Sequence, residues 1–156
     1  MKSCIIIGSM NAVTYKEIFP LIKGNQLWLG VSPRSMDFVL PNGEASCVNA
    51  NWFTNIDHNK RHTRLDLYKK YSNEYYPKYD NYDAIEVKYT KEIPYDYDGV
   101  MGVPITFLDK YNPEQFEILG IANSARWIGE FECFTLIGGK RIYNRILIRN
   151  KQVGQM

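Results

Sequence analysis

Four short stretches hold side chains whose type and spacing could do chemistry. Gly8-Ser9-Met10-Asn11 follows an apolar run and opens a helical pattern, which is where a nucleotide-binding fold places its phosphate loop. The stretch lacks the second and third glycines of a dinucleotide fingerprint and the Gly-Lys-Ser/Thr of a phosphate loop, and Met10 fills the space where backbone amides would approach a phosphate. A single glycine there more often just turns a strand into a helix. Asn112-Pro113-Glu114-Gln115 is close to the Asn-Pro-Pro-aromatic tetrapeptide that can hold an amino group for methylation, but the second proline and the aromatic are absent, so it reads as a turn. His58 and His62 lie four apart without the intervening acid of the metalloprotease pattern and without a further ligand, which argues against a metal site. No Ser/His/Asp or Cys/His set stands out, so spacing alone names no catalytic centre.

The fourth stretch is basic. Lys60, Arg61, His62 and Arg64, with Lys69 and Lys70 beyond, form the densest positive run and follow the aromatic pair Trp52-Phe53. Cations beside aromatic rings suit phosphates and stacked bases, although a solvated charged face is the commoner explanation of such a run. Tyr71, Tyr75, Tyr76, Tyr79 and Tyr82 fall within a dozen positions, and the expectation is that several of these rings pack onto the sheet.

The elements that must position these residues are those of a mixed α/β protein. Residues 4–7, an uninterrupted Cys-Ile-Ile-Ile run, predict a parallel strand covered on both faces and unable to stand as an edge. A helix is predicted from Asn11 through Ala12, Tyr15, Ile18, Phe19 and Ile22, ended or kinked by Pro20, with Gly24-Asn25 as its stop. "QLWLGV" (26–31) completes a β-α-β unit. A hairpin turning at Pro41-Asn42-Gly43 is expected in residues 33–47, then strands in "CVNANWFTNI" (47–56), "YDAIEVKYTKEIP" (82–94), "VPITFLDKY" (103–111) and "FEILGIA" (116–122). "TLIGGKRIYNRILIRNK" ends the chain as a glycine-turned hairpin.

Bulk properties fit one soluble domain over residues 1–156. A net charge of +2 is too small to act alone as the footprint of a polyanion binder, so nucleic-acid contact would rest on a local cluster. Three cysteines (Cys4, Cys47, Cys133) with no C-x-x-C pair argue against a disulfide framework and for a reducing cytoplasm. The apolar run at the N-terminus is far short of a signal-peptide core or membrane span, so neither export nor membrane anchoring is expected.

Longer blocks carry a resemblance. "IIIGSMNAVTYKEIFPLIKGNQLWLGVS", "NWFTNIDHNKR", "YPKYDNYDAIEV" and "DGVMGVPITFLDKYNPEQFEILGI" resemble, in order, blocks of the EcoRI-type adenine-specific DNA methyltransferases, from about residue 5 to residue 151. The resemblance implies a Rossmann-like methyltransferase fold, S-adenosylmethionine as donor, and the exocyclic amino group of adenine in double-stranded DNA as acceptor, with the base taken out of the helix. It implies a role in restriction-modification. In family members the donor loop and the Asn-Pro-Pro-Phe clamp precede the block that begins this sequence.

The expectation is therefore a C-terminal portion: a partial Rossmann-like methyltransferase sheet with β-hairpin additions, inactive in methyl transfer alone. Its 4–7 strand should show unpaired backbone groups along an apolar edge, to be covered by a complementing N-terminal chain, a second copy of itself, or local rearrangement. The alternatives are a non-catalytic DNA-binding or interaction module and a decayed remnant of a modification enzyme. The residues whose chemistry suits DNA contact are Asn55, Lys60, Arg61 and Arg64. No catalytic, cofactor-binding or metal-binding residue is assigned.

Overall fold

The computed structural model describes residues 2–31, 35–122, 134–142 and 144–153; Pro33 and Cys133, which enter the expectations above, lie outside them. The chain divides into two compact units, Met1–His58 and Asn59–Met156.

Unit 1 opens with β1 (Ile5–Gly8), a 3-10 turn (Met10–Thr14) and helix α1 (Phe19–Lys23), followed by β2 (Trp28–Leu29). The β-α-β unit is therefore present, but its helix is not continuous. Ser9 caps the 3-10 turn, its Oγ accepting from the Asn11 amide, and Tyr15 then returns to extended backbone. Pro20 sits in the first turn of α1 and starts that helix rather than ending one, because the first turn needs no proline N–H and favours its fixed φ. Gly24 and Asn25 (φ 56°) stop it as the sequence predicts.

After the exposed hairpin β3 (Met36–Val39) and β4 (Ala45–Val48), which turns at Gly43 with φ 86°, comes β5 (Asn51–Thr54). The strand expected over residues 47–56 is thus two strands. β5 lies between β1 and β2 and runs antiparallel to both, so the two ends of the β-α-β unit are parallel but not adjacent.

This corrects the expectation that residues 4–7 sit inside a parallel sheet. β1 is an edge strand, and Ile5, Ile6 and Ile7 are 62%, 53% and 44% exposed, so both of its faces are open. The open edge can be assigned residue by residue. The Gly30 amide donates to the Trp52 carbonyl, so the backbone groups of Trp52 face β2 and those of Phe53 face β1. Phe53 is opposite Ile6, which leaves the N–H and C=O of Ile5 and Ile7 directed away from β5, where no strand lies among the described residues. The side chains of Phe53 and Leu29 share one sheet face and are buried, as are Val13, Phe19 and Ile22 of the crossover. Ile5, Ile7, Trp52 and Thr54 occupy the other face.

Unit 2 is built on a four-stranded sheet in the order β6 (Ala84–Glu86), β7 (Val100–Pro104), β11 (Arg145–Asn150), β8 (Phe116–Ala122). β6 and β7 are parallel and the other pairs antiparallel. Ile146, Leu147 and Ile148 are all fully buried, so β11 is covered on both faces; burying each such side chain is worth about 1.5–3 kcal/mol. The "FEILGIA" strand is found as predicted. The strand expected over residues 103–111 is instead β7, and Ile105–Lys110 forms a 3-10 helix. Pro104 has no N–H to continue the ladder and stands at the helix start with φ −62°. The 82–94 strand shrinks to β6, since Ala84, Ile85 and Glu86 are buried together and leave no alternation to read.

The glycine-turned hairpin is β9 (Thr135–Ile137) and β10 (Lys140–Ile142), joined by Gly138 (φ 57°) and Gly139 (φ 78°), the two positive φ values that a tight two-residue turn demands. Ile137 and Ile142 pack with Tyr79, Ala84, Ala122 and Leu147 over one face of the sheet. Tyr79 lies so close to β7 that a Cβ on Gly102 would come within 2.0 Å of its hydroxyl oxygen.

Gly102→Ala should therefore destabilise the protein by about 1–3 kcal/mol, the range for forcing extra volume into a packed core. Adding Tyr79→Phe should return part of that loss, because the nearest atom is removed while the ring stays. Urea unfolding of the two variants and the parent checks this; equal losses in both variants would show that the hydroxyl is not what the glycine accommodates.

Candidate nucleic-acid interface

The basic stretch enters unit 2 as a 3-10 turn, Asn59–His62, followed by extended backbone. Thr63 tightens the turn, its amide donating to the Lys60 carbonyl and its hydroxyl to the Asn59 carbonyl. The segment is then held by Gln115, whose side chain is buried. Its Oε1 accepts from the Leu65 amide and its Nε2 donates to the Leu65 carbonyl, both at 2.8 Å, so one amide side chain replaces a neighbouring strand. Gln115 itself follows the turn at Asn112, whose Oδ1 accepts from the Glu114 amide, which is the turn expected there.

This framework places the four predicted residues in different environments. Arg64, next to the clamped Leu65, is exposed. Lys60 Nζ lies 2.5 Å from Asp109 Oδ1, with both side chains about one-third exposed. Arg61 is buried, at 8% exposure, and acts electrostatically on Tyr111. Asn55 belongs to unit 1 and uses both ends of its amide on the approach to β1: Oδ1 accepts from the Cys4 amide and Nδ2 donates to the Lys2 carbonyl. Three of the four thus fall on one short segment of unit 2, while Asn55 fastens the edge strand of unit 1. Around that segment the charge is partly balanced, with His62 Nδ1 3.7 Å from Glu114. Lys69 is drawn over the Tyr75 ring, 4.9 Å from its centroid.

The tyrosine-rich segment does what its composition predicts. Tyr76 and Tyr79 are buried, Tyr71 stacks on Tyr76 at 6.0 Å and meets Tyr97 at 4.6 Å, and Tyr75 sets its edge to Tyr76 at 5.0 Å. Tyr79 Oη is 3.1 Å from Glu86 Oε1, which also receives Arg145 Nε at 2.7 Å. The sequence did not single out Glu86 and Arg145; they are 59 positions apart, and only the sheet brings them together. Burial, and then the Glu86 charge, push the Tyr79 hydroxyl well above the ordinary tyrosine range. Burial, helped by the Glu117 charge, pushes Tyr111 up to about 12 against the opposing pull of Arg61, and Tyr76 reaches about 12 through burial and its neighbours Tyr75 and Glu92.

The opening loop does not fit S-adenosylmethionine. The missing Cβ of Gly8 makes room for the Phe53 ring, whose Cε2 would lie 3.2 Å from it, and the Ser9 hydroxyl is engaged in its own cap. Gly8 therefore serves strand packing within unit 1.

Taken together, two parallel strands joined by a helical crossover and a larger, partly parallel sheet make this a partial Rossmann-like fold of the methyltransferase class. Within that class the chain belongs to the family of the adenine-specific methyltransferase EcoRI, which it matches over residues 1–151. It is similar to the Type II methyltransferase M.EcoRI of Escherichia coli, with 45% identity over 97% of this chain and 51% of that protein. It is also similar to the Type II methyltransferases M.MpnI of Mycoplasma pneumoniae, at 34% identity over 97% of this chain and 57% of the relative, and M.MgeORF184P of Mycoplasma genitalium, at 32% over 97% and 58%. The chain thus spans little more than half the length of these relatives. No solved structure matches it significantly.

The buried hydroxyls give the fold a pH limit. Tyr76 and Tyr111 ionise near 10 when unfolded and near 12 when folded, so their stabilising contribution is complete below pH 10 and is lost as the pH rises toward 12. Denaturant midpoints should fall over that window, and Tyr111→Phe should make the fall shallower. A midpoint that stays level from pH 10 to 12 would show that these hydroxyls are not shielded.

Proposed function

We propose that this chain is the C-terminal portion of an adenine-specific DNA methyltransferase. The reaction is transfer of the methyl group of S-adenosylmethionine to the exocyclic amino group of adenine in double-stranded DNA, within a restriction-modification system and in the cytoplasm. The observation that carries this reading is the family match over residues 1–151, joined to a span of 51% of M.EcoRI. None of the 156 residues forms an Asn-Pro-Pro-Phe clamp, and the one glycine turn of the donor-loop type packs against Phe53. Catalysis therefore belongs to this chain only in company with the half of the fold that it does not span.

The part played by these residues is on the DNA side of the reaction. Arg64 is exposed on a segment that Gln115 fixes, so its guanidinium is offered from a rigid backbone, suited to a phosphate. Lys60 joins it by exchanging Asp109 for a phosphate oxygen. Arg61 and Asn55 act as positioning residues, the first inside the turn and the second at the entry to β1. A non-catalytic DNA-binding module would use the same Arg64 and Lys60, and enzyme assay separates the two readings.

Incubated alone with labelled S-adenosylmethionine and DNA, the purified chain should leave adenine unlabelled. Mixed with the part of M.EcoRI that lies outside the match, it should label adenine in the same assay. Label without the second polypeptide, or none with it although the two bind, would overturn this reading.

DNA affinity should fall with salt. Arg64→Ala should lower the slope of log K against log salt by about one, the loss of a single phosphate contact. Asn55→Ala should leave the slope unchanged and reduce stability instead, by about 0.5–1.5 kcal/mol for each backbone hydrogen bond removed. A slope that Arg64→Ala does not move would place the contact elsewhere.

A further inference from the structure

Two kinds of cation stand on unit 2. Lys60, Lys78, Arg145 and Arg149 each have a carboxylate partner, in Asp109, Asp83, Glu86 and Glu117. Lys69, Lys88 and Lys91 have none within ion-pair distance among the described residues. Each is instead drawn over a tyrosine ring, Lys69 Nζ 4.9 Å from the centroid of Tyr75, and Lys88 and Lys91 Nζ 5.6 and 6.0 Å from that of Tyr89. The two rings are 50% and 51% exposed. A ring holds an ammonium without neutralising it, so these three charges stay available to an anion.

The fold gathers these lysines from separate stretches of chain. Lys69 and Pro94 form a parallel bridge, and the Tyr95 amide donates to the Lys69 carbonyl at 3.0 Å. Tyr68 and Lys69 therefore run beside the chain that leaves the 3-10 turn Thr90–Glu92, whose N-cap is Tyr89. The Tyr75 hydroxyl donates to Glu92 Oε1 at 2.6 Å and the Tyr76 hydroxyl to the Glu92 carbonyl, which pins the Tyr75 ring to the same turn. Tyr68, exposed like Tyr89, acts electrostatically on Tyr75 together with it, so the three phenols form one group. Of the neighbouring carboxylates, Glu92 is engaged by Tyr75 and Asp96 by the Tyr71 amide at 2.7 Å, and Glu74 forms no ion pair with the lysines.

We propose that Tyr68, Lys69, Tyr75, Lys88, Tyr89 and Lys91 form a second DNA-holding surface, apart from the basic turn, that grips the phosphate backbone of a duplex without reading its sequence. Unpaired ammonium groups suit phosphates as point charges, and the rings beneath them restrict long side chains that would otherwise lose more freedom on binding. The exposed hydroxyls of Tyr68 and Tyr89 can donate to phosphate oxygens beside them. Contacts of this kind position a duplex and carry no base information. The rings of Tyr75 and Tyr89 face ammonium groups, which favours a paired duplex over unpaired bases seeking a ring to stack on. The inference rests on the proposed function for its choice of polyanion, and adds to it a surface that holds any DNA.

The probes are short duplexes of unrelated sequence, titrated into the purified chain at several salt concentrations. Lys69→Gln, Lys88→Gln and Lys91→Gln should each lower the slope of log K against log salt by about one, equally on every duplex. Lys78→Gln, which removes a lysine already paired with Asp83, should leave the slope where it is. Tyr89→Leu should weaken binding about threefold at a given salt concentration while keeping the slope, because it removes a ring and no charge. Lys88, Tyr89 and Lys91 are exposed, so circular dichroism can verify that their variants fold. Slopes unmoved by the three lysine variants, or moved as much by Lys78→Gln, would overturn the surface. An effect confined to one sequence would overturn it in favour of base reading, and tighter binding of a single strand that Tyr89→Leu abolishes would do so in favour of stacking. If the lysine variants lower the slope while the mixed halves fail to methylate, the proposed function falls and the surface stands. Methylation by the mixed halves with slopes that the lysine variants leave unchanged gives the reverse.

Discussion

Unit 1 depends on the backbone of one four-residue strand. β5 supplies the ladder partners of both β1 and β2, so the β-α-β unit closes only because a reversed strand from later in the chain enters between its ends. The fixed alternation of that strand decides everything beside it. Phe53 must point its side chain to the core, and its backbone groups then must meet Ile6, so Ile5 and Ile7 turn theirs outward. Asn55, just past the end of the strand, adds side-chain hydrogen bonds that keep the approach to β1 in register. A pairing made elsewhere would leave Phe53 and Leu29 exposed, and the unit has few other large side chains with which to replace them.

Unit 2 meets a different constraint, which is how to bury charge beside a sheet covered on both faces. Glu86 accepts from Arg145 and Tyr79 together, and Gly102 clears the space in which the Tyr79 ring approaches the strand. Removing any one of these partners leaves a buried charge or hydroxyl uncompensated, which costs more than the intact node contributes. The same economy appears at Gln115, where one buried amide satisfies both backbone groups of Leu65. These polar contacts link residues far apart in sequence and give the unit a unique arrangement that its aliphatic core alone would not specify.

Elements governed by local geometry were legible in the sequence. Gly138-Gly139 and Gly43 announce their turns through positive φ, "FEILGIA" is apolar enough to read as a strand, and the tyrosine run packs as its amphipathic rings suggest. What was not legible depends on partners remote in sequence. Nothing near residues 4–7 says that their neighbour is β5, 46 positions on from Ile5 to Asn51, and nothing near Arg61 says that it turns inward. Pro20 reads as a helix breaker in the sequence, yet the same ring that breaks a helix interior suits its first turn, where the structure places it. Of the candidate site, the basic segment could be found by composition. The clamp at Gln115 has no such signature, because its partner Leu65 lies 50 positions away.

The edge of β1 also bears on how such a chain survives in solution. Three consecutive isoleucines, uncharged, β-branched and without proline, form the kind of segment that templates its own copies into stacked strands. No lysine lies within Ile5–Gly8 to blunt that tendency, and the side chains of Asn55 and Thr54 reach only its approach, at Cys4 and Lys2. Left uncovered, such an edge pairs with other copies at a rate that rises with concentration.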